Sequence, residues 1–393
     1  MQTASQKEDM QILSPKTKNL DYVCAWYIKA SQYMKNTSVK TAFVSTNSIV
    51  QGEHPSTLWK PLMEQGIFIN FGVPSFIWNN EAKGKAAVYC VIIGFSYHKT
   101  EPNINPYLLK APNVFIEKRS KPLSNVPKMK KGNEMYDDAN LIIEASEYDE
   151  FITKEPLAEK YIRHYVGSEE FINKKTRYCL WLLDVSPNDL RKMPLVMQRV
   201  EAVKEFRLAS KREATRKTAD TPTRFSVIHQ PESDYILMPV VSSEKREYVP
   251  IGFMSPDVIV SYAVFTIPNA TLYHFGILTS SVHMAWMRAV CGRLKGDYRY
   301  SNTIVYNNFP WPDTNEAGQA EITKLAQNAL DARANHPTST LADLYDPLTM
   351  PPDLLKAHKA LDNAVMKLYN FPKTQTEPET VAALMQLYQQ LTK

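Results

Sequence analysis

The run Ala86–Phe95 (AAVYCVIIGF) is the longest strand candidate in the chain, rich in apolar, β-branched and aromatic residues. It is entered from a polar, turn-prone segment that carries an aromatic pair, Phe76 and Trp78, followed by a turn across Asn79–Lys85. Together these residues read as a hairpin. Residues 1–18 are polar and read as a loop. From Leu20 to Met34 the apolar positions Leu20, Val23, Cys24, Trp26, Tyr27, Ala30 and Met34 recur at helical spacing. Thr41–Thr46 is a short buried strand closed by the turn-like Thr46-Asn47-Ser48, Leu58–Gln65 a short helix, and Gly66–Phe71 another strand. Strand, helix, strand, strand predicts the closing portion of an α/β sheet rather than a whole one.

At 393 residues the chain exceeds what one core organises, so two or three domains are expected. An apolar content of 44% excludes bulk disorder. The formal charge of +5 permits a polyanionic partner, provided that the cations cluster on one face. Cys24, Cys90, Cys179 and Cys291 stand far apart in apolar sequence without metal-ligand spacing, as reduced core residues of a cytoplasmic protein do. The N-terminus has no hydrophobic core of a signal peptide, and no apolar run approaches the ~18 residues that a membrane span needs. Only 12 glycines occur, and no GxG. A nucleotide or methyl-donor pocket ordinarily requires such a turn, because the backbone must approach the ligand closely.

Proline density at Pro102, Pro106, Pro112, Pro122 and Pro127 marks a domain junction or an extended arm. Residues 128–313 mix short helices and strands: Pro187–Ala219 reads as largely helical, Thr223–Val260 as successive short strands, and Gly276–Gly292 as one helix. Beyond Trp311-Pro312 the helices Glu321–Ala334, Pro352–Tyr369 and Glu379–Leu391 follow. The divisions expected are residues 1–99, 100–313 and 314–393.

Three stretches carry candidate chemistry. Phe76 and Trp78 form a platform on which an extruded base would recover stacking energy, with ordinary packing at a strand entrance as the competing reading. The basic stretch 203–219 offers Lys204, Arg207, Lys211, Arg212 and Arg216 as phosphate contacts, with Lys204, Arg207 and Lys211 on one helical face; a solvated surface is the alternative. In GRLKGDYRYSN, Asp297 and Arg299 lie two apart and share a face if extended. Arginine reads guanine O6 and N7 and a carboxylate accepts from cytosine N4, so the pair suits one G·C base pair, with Lys295 beside it. A surface ion pair between them is the plainer alternative. The histidines are scattered away from any nucleophile, and Asp137-Asp138 and Glu169-Glu170 read as solvated surface.

LDYVCAWYIKA, TAFVSTNSIVQGE, WNNEAKGKAAVYCVIIGF, NVFIEKRSKPL, VGSEEFI, RYCLWLLD, YVPIGF, GRLKGDYRYSNTIVYNNFPWP and LYDPLTMPPDLLKAHKALDNAV together resemble MmeI-like enzymes, over nearly the whole chain. These are single-chain restriction–modification proteins that methylate adenine at N6. The resemblance implies the C-terminal half of a Rossmann-like methyltransferase sheet, an α+β target-recognition domain and a small helical C-terminal domain. It implies double-stranded DNA as partner and S-adenosylmethionine as donor of the intact enzyme. It also places Phe76 and Trp78 in the target-base segment, and Asp297 and Arg299 where the family varies paired residues to change the base read. In the family an NPPF or NPPY tetrapeptide directly precedes a segment like QKEDM. The nuclease, the donor loop and that tetrapeptide are therefore expected outside this sequence, in an N-terminal half, and this chain alone is expected to bind no donor. The alternative is a catalytically dead remnant acting only through DNA or protein binding.

Overall fold

The computed structural model describes residues 2–14, 17, 20–78 and 88–393. The N-terminal part opens with helix α1 (Ala4–Leu13) in place of the expected loop. Thr3 and Gln6 cap it reciprocally, the Thr3 hydroxyl accepting from the Gln6 amide at 3.2 Å and the Gln6 side chain from the Thr3 amide at 2.9 Å. Met10 is its one buried residue, so the sequence carries no apolar period there. Helix α2 (Cys24–Met34) falls close to expectation, and strand β1 (Thr41–Thr46) keeps its expected bounds but not its expected burial: it is an edge strand in which only Ser45 is buried. The expected helix at 58–65 forms as a wide turn, Pro55–Trp59, continued by α3 (Lys60–Glu64).

Strand β2 (Phe68–Trp78) runs well past Phe71, and β3 (Val88–Ser96) lies between β1 and β2, antiparallel to both. One face of this sheet is deeply buried: Val91, Ile93 and Phe95 pack beneath α2, with Tyr27 stacked on Phe95 at 5.2 Å and Trp59 edge-on to it at 5.9 Å. The other face is bare. Across it the register aligns Val44, Ile92 and Val73, of which Val44 is 52% and Val73 39% exposed. Its cover is largely its own: the Phe71 ring lies over Gly94, where a Cβ would stand 2.1 Å from it. Among the described residues the outer edge of β1 has no partner strand.

The middle part contains eleven strands: β4 (Lys130–Lys131), β5 (Ile142–Glu144), β6 (Ile162–Val166), β7 (Arg177–Leu180), β8 (Tyr235–Pro239), β9 (Val241–Ser242), β10 (Gly252–Met254), β11 (Ile259–Val260), β12 (Val264–Pro268), β13 (Gly292–Leu294) and β14 (Asp297–Arg299). They form three sheets, ordered β10-β8-β12-β4, β11-β6-β7-β5 and β13-β14-β9. Helices α4 (Tyr148–Lys154), α5 (Ser168–Asn173), α6 (Pro187–Arg191), α7 (Pro194–Leu208), α8 (Glu213–Arg216), α9 (Leu272–Leu278) and α10 (Ser281–Val290) pack around them. Two expected helices are broken. The stretch 187–219 is interrupted between α7 and α8, and 276–292 divides at Ser280, whose side chain caps α10 by accepting from the His283 amide.

Helices α11 (Glu316–Ala334), α12 (Leu341–Leu344), α13 (Pro352–Leu368) and α14 (Glu377–Leu391) complete the chain. They share one core with the middle part. Asp362 of α13 is buried and accepts from the Tyr248 hydroxyl and the Ser281 amide, each at 2.6 Å, so α13 is tied to the start of α10.

Candidate nucleic-acid interface

Sequence puts a proline, Pro74, inside β2, and the strand absorbs it with an irregular pairing between Val73 and Phe76. The extra residue changes the face on which the following side chains stand. Phe76 opposes Cys90 and Trp78 opposes Val88, so both rings join the bare face of the sheet with Val73. Phe76 is half-buried and Trp78 is 50% exposed, their ring centroids 6.2 Å apart. The buried Asn47, just after β1, donates to the Ser75 hydroxyl at 3.0 Å and pins the irregular residues. The aromatic pair therefore lies on the strand itself, not on a turn before it. The polar neighbours Asn79, Asn80 and Glu81, with the turn through Lys85, lie outside the described residues.

The opposite face of β3 reaches the middle part. The Tyr89 hydroxyl donates to the Glu244 carboxylate, which pushes the phenol up to about 12. Glu244 also pairs with Arg293 at 3.6 Å. Arg293 stands on β13, stacks on Tyr298 and donates to the Gly296 carbonyl at 2.7 Å, closing the hairpin between β13 and β14. That turn is tight: a Cβ on Gly296 would lie 3.0 Å from the Tyr89 ring and 3.1 Å from Glu244, so a larger residue would push on both side chains.

On this clamped hairpin, β14 buries Tyr298 and turns Asp297 and Arg299 to its other face. The two do not pair with each other: among the described residues no ion pair joins them, and Asp297 accepts instead from the Glu244 amide at 3.4 Å. Arg299 is exposed and opens into a cleft of about 630 Å³ whose lining also includes Lys118, Lys131, Arg293, His54 and Gln51. Burial lowers the His54 pKa, so the ring is held neutral near Asp21, 3.8 Å away. Lys295 is exposed at the hairpin tip with φ of 57°. Among the described residues no group of acidic, histidine and cysteine side chains is suited to a metal.

The basic stretch is corrected in one residue and in its geometry. Arg207 is fully buried and cannot contact phosphate. Its guanidinium donates to five backbone carbonyls, those of Met135, Tyr136, Thr218, Thr221 and Arg224, at 2.8–3.1 Å. The break after α7 separates Lys204 from Lys211, so the expected single basic face does not exist. Lys204, Lys211, Arg212 and Arg216 are all exposed. Asp137 is likewise buried rather than solvated, its carboxylate accepting from the Leu141 amide at 2.8 Å and the Ala139 amide at 3.3 Å.

Sequence reasoning misses Lys118, Lys131, Glu244 and Tyr89. Lys131 ends the basic run KMKK, a visible signal; the others meet only through tertiary contact.

Residues 1–106 match the family description "MmeI, DNA-methyltransferase domain", residues 110–313 "MmeI, target recognition domain" and residues 314–393 "MmeI, C-terminal domain". The chain belongs to the MmeI family. It is 39% identical to DNA methyltransferase A of Bacillus subtilis (strain 168), over 100% of this chain and 46% of that protein. A solved structure of the type IIL restriction–modification enzyme MmeI in complex with DNA superposes with a TM-score of 0.93 at 45% identity, over 100% of this chain and 55% of that one. The MmeI-family chain thus spans about half the length of these relatives. Its expected α/β methyltransferase, α+β target-recognition and helical C-terminal organisation follows theirs in order. Among the described residues no helix is long and apolar enough to cross a membrane.

Proposed function

We propose that this chain is the DNA-recognition and target-base-binding portion of a site-specific adenine-N6 DNA methyltransferase of a restriction–modification system. One observation carries the reading: Asp297 and Arg299 stand unpaired with each other on a strand clamped to the methyltransferase sheet, with Arg299 in a cleft beside Lys118 and Lys131. Duplex DNA lies in that cleft, Asp297, Arg299 and Lys295 address base edges, and Lys118 and Lys131 address phosphates. Phe76 or Trp78 stacks the extruded adenine, being an exposed aromatic pair at the end of the same sheet. Lys204, Lys211, Arg212 and Arg216 add sequence-independent attraction.

Transfer itself needs more than these residues. The glycines beside the sheet are filled rather than open: a Cβ on Gly94 would meet Phe71 at 2.1 Å, and one on Gly72 would meet Leu108 at 2.7 Å. They offer no cradle for S-adenosylmethionine. The bare face carrying Val44 and Val73, and the edge of β1 left unpaired among the described residues, fit a partner that supplies further strands and covering helices. An N-terminal half of the same enzyme is that partner.

Fluorescence anisotropy of the 393-residue chain with labelled duplex DNA across a salt series tests the reading. Submicromolar binding that weakens with salt and prefers a subset of sequences is expected. Indifference to DNA at low salt would sink it.

A further inference from the structure

We propose that the target-recognition part carries a second base-reading cleft, built around Tyr136 and Tyr262, that contacts base pairs other than those addressed by Asp297 and Arg299. This rests on the DNA-recognition reading above. The cleft has a volume of about 600 Å³, and its lining includes Lys131, Tyr136, Asp138, Arg177, Phe206 and Tyr262. Three large rings are exposed around it: Tyr262 at 57%, Phe206 at 40% and Tyr136 at 39%. Aromatics left in water around a hollow that also carries charged side chains are the composition of a recognition surface, not of a solvated one.

The loop that presents Tyr136 is held rigidly in a costly shape. Tyr136, Asp138 and Ala139 all adopt left-handed backbone, with φ of 48°, 52° and 61°, though none is glycine. Two buried charges enforce it. Asp137 accepts from the Ala139 and Leu141 amides, and Arg207 donates to the Met135 and Tyr136 carbonyls while gripping the chain at Thr218, Thr221 and Arg224. Arg207 thus serves the cleft from beneath. The rings are also set from outside: Arg212 lies 5.2 Å from the Tyr136 centroid and donates to its hydroxyl at 3.2 Å, and Lys131 lies 5.2 Å from the Tyr262 centroid.

The charge pattern selects the ligand. Glu134 and Asp138 stand among the cations Lys131 and Arg177. A site for phosphates alone would carry one sign, whereas base edges in the major groove present donors and acceptors side by side. Lys131 also lines the cleft that holds Arg299, and it pairs across β4 and β12 with Phe265, which lines that cleft too. Lys131 therefore forms the wall between the two hollows. A duplex seated at Arg299 runs on past Lys131 to Tyr262 and Tyr136.

Selection from a random duplex pool, followed by sequencing, tests this with the full chain and the variants Asp138→Asn, Lys131→Ala, Tyr262→Ala and Arg299→Ala, with circular dichroism to check folding and Tyr262→Phe as the conservative control. Asp138→Asn and Tyr262→Ala are expected to relax preference by about tenfold or more at a position that Arg299→Ala leaves intact, with Tyr262→Phe near wild type. An unchanged preference pattern, or an equal drop in affinity for every sequence, overturns the second cleft while leaving the first reading standing. If the wild-type chain enriches no sequence at all, the recognition reading itself fails.

Discussion

The guanidinium of Arg293 lies 3.8 Å from the centroid of the Tyr298 ring, directly behind the strand that carries Asp297 and Arg299. With its side chain only 13% exposed and bonded to Gly296 and Glu244, Arg293 sets the height and tilt of that strand against β3. Arg293→Ala removes the stack and leaves Glu244 without its cation, and is expected to cost about 1–3 kcal/mol in chemical denaturation. Arg293→Lys keeps the charge but not the planar stack, and should fall between the two. A variant as stable as wild type would show that the hairpin needs no such brace.

Arg207 and its basic neighbours separate cleanly. Arg207→Ala leaves five carbonyls without their donor, and each buried group left unsatisfied costs about 1–3 kcal/mol, so severe destabilisation is expected even at neutral pH. Arg207→Lys cannot reach all five and should rescue little. Replacing Lys211 and Arg216 by alanine should leave the melting temperature near wild type, yet shallow the log–log salt dependence of DNA binding by about 0.9 for each phosphate no longer neutralised. An unchanged slope would return those two to ordinary surface.

Exchanging Asp297 and Arg299 for one another should alter which base is tolerated at one position of the site. A good bidentate contact is worth about 1–3 kcal/mol of discrimination, which competition binding resolves. Equal weakening for all four bases at every position would remove the pair from readout.

His283 predicts a direction for acid sensitivity. It is buried against the Tyr300 hydroxyl at 2.9 Å, and burial lowers its pKa to about 3. Below the ordinary histidine value near 6.5 the unfolded chain binds a proton that the native chain refuses, so stability falls as pH falls between about 6.5 and 3. The slope from this residue is at most about 1.4 kcal/mol per pH unit. Denaturation of wild type and His283→Gln at pH 7 and pH 5 isolates it, since the other titrating groups cancel in the comparison. Parallel curves would exclude the linkage.

Calorimetry should detect no micromolar binding of S-adenosylmethionine to this chain alone, given the filled glycines at Gly72 and Gly94. Saturable heat at micromolar donor would overturn the proposed need for a second half.

Much of the first sheet is legible in the sequence. Thr41–Thr46 is delimited because its apolar run ends at a turn-forming triplet, and β3 because few sequences but a strand read AVYCVIIGF. The course of β2 is not, since Gly72, Pro74 and Ser75 read as a stop, whereas an irregular pairing carries the strand through them. Arg207 misleads for a different reason. Val196, Val200, Val203 and Arg207 are the buried residues of α7, at spacings of four, three and four, so the arginine continues an apolar stripe that its charge disguises. The clefts are invisible: Tyr89, Glu244 and Arg293 come together from three distant stretches, and no local pattern announces that Tyr136 will adopt a left-handed backbone.

The absent side chain of Gly296 bears on how such a surface can diversify. With the Tyr89 ring 3.0 Å from where a Cβ would be, any larger residue at the hairpin tip would press on the two side chains, Tyr89 and Glu244, that clamp it. On the proposed reading, a strand clamped in this way favours exchange of side chains at fixed stations, Asp297 and Arg299 foremost, on an unaltered backbone. New specificities should arise by paired substitution rather than by loop growth, and a site transplanted from one member to another should keep its register.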